Sequence, residues 1–147
     1  MTILDIMRRS AGPPGIVQAD GDLDLATQHS FESTVFHELD RTSLVVDLSR
    51  LDFLAISALR SLLLADRYAA QRGRGLVFVE PTGAGRRLLD VSRLDAVLVV
   101  RRSLTEACKE LRSLPEALRT VHWTGDTTAG EQTGTVVSLR PRRRGAA

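Results

Sequence analysis

The sequence predicts an α/β fold: one domain in which about five strands form a mostly parallel or mixed sheet, with about four helices packed against it. Three observations predict it. Short β-branched apolar runs alternate along the chain with longer stretches whose apolar residues recur at helical spacing. Glycines, prolines and capping residues stand at the junctions between them. The 147 residues, 43% of them hydrophobic, suffice for one core and not two.

Thr2 to Ile6 and Gly15 to Ala19 are short apolar segments on either side of "MRRSAGPP", whose Gly-Pro-Pro cluster breaks regular structure. They predict a two-stranded hairpin. After "DGDLD", residues 25–41 place Phe31, Val35, Phe36 and Leu39 on one face, with Asp24 as N-cap, which predicts the first helix. "LVVDL" at 44–48 is a strand. From Ala58 to Arg72, Leu59, Leu62, Leu63, Ala69 and Ala70 keep helical spacing, and Gly73 offers a left-handed cap. "LVFVE" at 76–80 is the next strand, stopped by Pro81. Thr82 caps a third helix carrying Leu88, Leu89 and Val91, and Ala96 to Val100 reads as a further buried strand. Ser103 and Glu106 form a capping box that opens a fourth helix with Leu104, Ala107, Cys108 and Leu111 inward, restarted at Pro115 and closing near His122. The folded domain is therefore assigned to residues 1–123.

Residues 124–147 are rich in Gly, Thr, Ser, Arg and Pro without a period, too poor in apolar surface to offset chain entropy, and are expected to be disordered. They hold four arginines against Asp126 and Glu131, so residues 1–123 carry no net charge and the tail carries the chain's +2. An electrically balanced domain with 4% aromatics lacks the basic face and stacking platforms of a nucleic-acid binder. The apolar runs are far too short to span a bilayer, and the N-terminus lacks the pattern of a secretory signal, so a cytoplasmic location is expected. A single cysteine, Cys108, rules out an internal disulfide and a thiolate zinc cluster.

Catalytic machinery is hard to find. His29 and His37 stand eight residues apart, off the spacing that brings two ligands onto one helical face, and read as surface residues. Ser57 lacks a nucleophile elbow, because Ala55 and Leu59 occupy the glycine positions. "GAGRRL" at 83–88 follows a strand and opens a helix but has Leu88 where a dinucleotide fingerprint has its third glycine. Residues 82–86 thus read either as a turn with a Thr82 cap or as a nucleotide loop. No cofactor is implied.

The run from Val45 to Ala107, "VVDLSRLDFLAISALRSLLLADRYAAQRGRGLVFVEPTGAGRRLLDVSRLDAVLVVRRSLTEA", resembles the STAS domain of bacterial anti-sigma factor antagonists. The likeness extends upstream through "GDLDLATQHSFES", similar to the family's G-E/D-x-D loop, and covers residues 2–112. It implies a STAS-like fold and a non-enzymatic protein that binds an anti-sigma factor of the serine kinase type and so releases a sigma factor. In the family, a serine or threonine in a D-S/T-S/T-G turn at the start of the second helix is phosphorylated by that kinase and restored by a phosphatase. On this chain Ala55, Ile56, Ser57 and Ala58 fill the four positions, so only the modified serine is retained. The resemblance implies Ser57 as the phosphorylation site and Asp22, Asp24, Ala55, Ile56, Ser57, Ala58 and Arg60 as the partner-binding set, with Asp22 exposed on a loop. Three alternatives stay open: Ser57 as a plain N-cap, a divergent STAS module that binds a signalling partner constitutively, and a small nucleotide-binding protein using residues 82–86.

Overall fold

The computed structural model describes residues 4–8 and 14–112. Strands β1 (Leu4–Arg8), β2 (Gly15–Leu23), β3 (Leu44–Leu54), β4 (Leu76–Val79) and β5 (Val100–Arg101) form one sheet in the order β1-β2-β3-β4-β5. β1 runs antiparallel to β2, and every later pair is parallel. The predicted mixed five-stranded sheet is therefore present, with helices α1 (Gln28–Leu39), α2 (Leu59–Gln71), α3 (Gly83–Ser92) and α4 (Leu104–Arg112) packed on it.

Sequence dictates which helix takes which face. Central β3 is apolar at consecutive positions because both of its faces are covered. Val46 and Leu48 join Val17 and Ala19 beneath Phe31 and Val35 of α1, Leu62 and Ala65 of α2 and Leu89 of α3. Val45 joins Val77, Val79 and Val99 beneath Ala107, Cys108 and Leu111 of α4. Each buried Leu, Val or Phe contributes roughly 1.5–3 kcal/mol. The one domain thus packs a large cluster under three helices on one face of the sheet and a small cluster under α4 on the other.

Several ends differ from their sequence expectation. The first helix, expected from residue 25, starts at Gln28, because Asp24 spends its carboxylate on a preceding turn: Oδ1 accepts from the amides of Ala26 at 3.0 Å and Thr27 at 3.1 Å. The second helix is preceded by a 3₁₀ turn, Ile56–Ala58. Its end is as predicted: Gly73 takes a φ of 71°, the Arg74 amide reaches Ala69 O at 2.8 Å and the Gly73 amide reaches Ala70 O at 3.2 Å. Thr82 holds the N-cap position of α3 but makes no side-chain cap bond. The strand expected over residues 96–100 is mostly absent. Arg93 turns left-handed, Leu94–Ala96 form a second 3₁₀ turn, and Leu98 and Val99 are buried by packing before β5 begins. In the capping box the Glu106 amide donates to Ser103 Oγ at 3.1 Å, while Glu106 Oε1 accepts from the Arg102 amide, one residue before the expected one. The Pro115 restart, the domain end near His122 and the 124–147 tail lie outside the described residues.

Candidate partner-binding surface

β2 and β3 run in parallel, but β3 uses more residues. Gln18 faces Asp47 and Asp20 faces Arg50; Gly21 then faces Leu51 and Asp22 faces Phe53, so β3 bulges twice and Asp52 is an extra residue without a partner on β2. The alternation of β2 sends Val17, Ala19 and Leu23 into the large core, which places Ile16, Gln18, Asp20 and Asp22 on the α4 side. Phe53, the partner of Asp22, is 52% exposed.

Just past this pair the chain crosses from β3 into α2. Ala55 stays extended and its amide donates to Leu23 O at 2.9 Å, after which the Ala58 amide closes the 3₁₀ turn on Ala55 O at 3.0 Å. That turn pushes Ile56 outward, 73% exposed, and buries Ala58 completely. Ser57 and Arg60 are exposed, and Ser57 Oγ makes no hydrogen bond within the described residues. The plain N-cap alternative is corrected here: the cap positions belong to Ala55 for the turn and Ala58 for α2, and neither cap has a side-chain bond. Ser57 sits inside the turn, with its hydroxyl toward solvent.

The other residues singled out from the sequence fall close by, in different roles. Asp22 is half-buried within β2, not exposed on a loop, because the parallel pairing with β3 continues through it. Its carbonyl accepts from Thr27 Oγ1 at 2.7 Å, which ties the strand end to the start of α1. Asp24 shapes the 24–27 turn. Ala58, being fully buried, sets the close packing of the turn and presents no surface. Sequence reasoning missed Phe53 and Leu25, 72% exposed. A bulge breaks the two-residue period, so no periodicity marks Phe53 as outward-facing.

The alternative sites look different in three dimensions. Residues 82–86, read as a loop from the sequence, form the N-cap and first turn of α3; a Cβ on Gly85 there would meet Pro81 Cβ at 3.1 Å, so that glycine is explained by close packing of the helix. Arg86, the cation of this turn, is held by Glu80 at 2.9 Å and Asp90 at 3.6 Å. His29 and His37 are exposed on α1, and among the described residues no group of three His, Cys, Asp or Glu side chains could hold a metal ion. Among the described residues no helix is long and apolar enough to cross a membrane.

This arrangement, a mixed sheet whose second and third strands lead into an exposed serine turn at the head of α2, defines a STAS-type α/β domain. Residues 6–101 match the family model described as Mlab, STAS domain, and the chain belongs to that STAS family. Solved structures share the fold. An anti-sigma factor antagonist from Mycobacterium paratuberculosis superposes with a TM-score of 0.68 at 21% identity, over 76% of this chain and 96% of that one. SpoIIAA, an anti-sigma factor antagonist, superposes in its unphosphorylated form with a TM-score of 0.62 at 15% identity, over 76% of this chain and 100% of that one. The phosphorylated form of the Bacillus SpoIIAA gives 0.56 at 15% identity, over 74% and 100%. No protein with a curated description matches the chain by sequence.

Proposed function

We propose that this STAS domain is a non-enzymatic regulatory binding protein that acts in the cytoplasm as an anti-sigma factor antagonist. It engages an anti-sigma factor of the serine kinase type through the surface around Ser57 and so frees a sigma factor. Residues 1–123 carry this activity and residues 124–147 lie outside it. The observation that carries the proposal is the solvent-facing Ser57 hydroxyl, unbonded within the described residues, on a turn that leads into α2. The family membership and the fold shared with SpoIIAA, known in unphosphorylated and phosphorylated forms, support it.

The physics suits a switch. A phosphate on Ser57 would add about −1.5 to −2 charges beside a helix N-terminus, whose partial positive charge tolerates them. The fold survives; an interface that has to desolvate those charges does not. A phosphatase would restore binding.

A second reading is favoured by the turn itself. Ala55, Ile56 and Ala58 replace the residues that surround the modified serine in the family's motif, and Ile56 puts an exposed apolar side chain where the motif carries a hydroxyl. A STAS module with this turn binds its partner constitutively. Parallel capture with wild type, Ser57→Ala and Ser57→Glu as baits separates the two. Recovery of one ATPase-type anti-sigma factor by wild type and alanine but not glutamate supports the switch. Equal recovery by all three supports constitutive binding.

A further inference from the structure

Leu25, Phe53 and Ile56 are 72%, 52% and 73% exposed. Each lies within two residues of the register pair Leu23 and Leu54, so three large apolar side chains gather at one end of the sheet. The segments that carry them, residues 20–25 and 50–60, hold Asp20, Asp22, Asp24 and Asp52 against Arg50 and Arg60, which leaves this end of the sheet net negative along both segments. Asp20, Asp22 and Asp52 make no ion pair among the described residues.

We propose that the occupant of this apolar patch is a segment of the same chain, residues 136–144, "VVSLRPRRR". The complementarity is double. The segment brings three apolar residues, Val136, Val137 and Leu139, for the patch, and four arginines, Arg140, Arg142, Arg143 and Arg144, for the acidic sheet end, with no acidic residue of its own. Pro141 disfavours helix at Arg140, which suits an extended segment laid across a sheet end. α4 covers the side of the sheet on which Asp20 and Asp22 lie, and the described chain ends at Arg112 on that helix. The 12 residues from 124 to 135, which lie beyond the expected domain, can extend to roughly 40 Å, and as a flexible coil they would average about 19 Å end to end. Tethering at that range gives an effective concentration on the order of millimolar, so weak contacts suffice.

Charge decides between this occupant and a second copy. Two copies related by a two-fold axis on this patch would set carboxylates against carboxylates, whereas the segment sets guanidinium groups against them. Docked, it covers the turn that carries Ser57. That it thereby competes with a protein partner rests on the function proposed above; the docking itself does not.

The test uses the full-length chain, wild type beside two variants: Arg140, Arg142, Arg143 and Arg144 each →Glu, and Val136, Val137 and Leu139 each →Ser. Amide spectra and hydrogen exchange are followed at residues 22–25 and 52–57, in about 50 mM and about 500 mM NaCl, the higher salt screening exposed charge pairs. In either variant these amides should shift and exchange several-fold faster, with residues 76–79 of β4 unchanged as the internal standard. High salt should move wild type toward the charge-reversed variant. Identical signals at 22–25 and 52–57 in wild type and both variants would overturn the proposal. So would shifts that depend on protein concentration and persist after charge reversal, the signature of a second copy.

Discussion

Asp22 on β2 stands opposite Phe53 on β3, one step after the register slips to admit Asp52. A half-buried carboxylate and a half-exposed aromatic ring are thereby held side by side on rigid strands, next to the turn that presents Ser57. Strand placement fixes both side chains before any partner arrives, which lowers the ordering cost of an interface.

Phe53→Ala should separate binding from folding. The ring is 52% exposed and belongs to neither core, so its loss should change stability by less than about 1 kcal/mol. Aromatic anchors commonly carry about 2 kcal/mol or more of an interface, so affinity for the anti-sigma factor proposed above as partner should fall roughly thirtyfold. Titration calorimetry with the purified partner, beside urea denaturation of the free protein, reads both. A large loss of stability would instead make Phe53 part of the core.

Ser57→Glu should leave the midpoint of urea unfolding nearly unchanged, within about 0.5 kcal/mol, because the side chain is exposed and the added charge lies near a helix start. Partner affinity should fall by about tenfold or more if Ser57 lies in the interface, since a desolvated carboxylate without a cation is costly there. Unchanged affinity by calorimetry would move the interface away from this turn.

The legible parts of the fold were those written locally. "LVVDL" reads as a strand because it is mostly apolar and centred on the β-branched pair Val45 and Val46, and all five residues are buried. Gly73 reads as a helix end because only a left-handed residue closes that geometry, and its φ is 71°. The strand misread over residues 96–100 turns on Arg93, a left-handed residue with no glycine to announce it. The candidate surface was half legible. Ser57 came from a motif resemblance, but the exposure of Phe53 depends on a bulge between two strands, a long-range pairing that no local period encodes.

Gly83 and Gly85, in the first turn of α3, should respond differently to alanine. At Gly85 the added Cβ would sit 3.1 Å from Pro81 Cβ and 3.5 Å from Leu54 Cβ, pressing α3 off the sheet, with an expected cost of about 1–3 kcal/mol. At Gly83 there is open space, but a φ of 58° strains any side chain, with an expected cost of roughly 1–2 kcal/mol. Thermal melts with and without ATP, GTP or NAD should show both losses and no nucleotide-dependent shift. A shift in wild type that Gly85→Ala abolishes would revive residues 82–86 as a nucleotide site.

Ser61 and Glu32 make a partly buried polar link between two of the helices that cover the large core. Ser61 is fully buried on α2, and its Oγ donates to Glu32 Oε2 of α1 at 2.5 Å. Nearby on the same helix pair, Phe36 stacks on Tyr68 with ring centroids 4.4 Å apart, so the bond acts between surfaces already in contact. A hydrogen bond to a carboxylate contributes about 1.5–3 kcal/mol, and Glu32 is partly exposed, so water can replace some of it. Ser61→Ala should therefore cost about 1–2 kcal/mol in urea unfolding, and Glu32→Gln, which keeps an acceptor, should cost less. The losses of the single variants Ser61→Ala and Glu32→Ala should fail to add in the double variant that combines them, because each removes the same bond. Additive losses would mean that the bond is incidental to how the two helices are held.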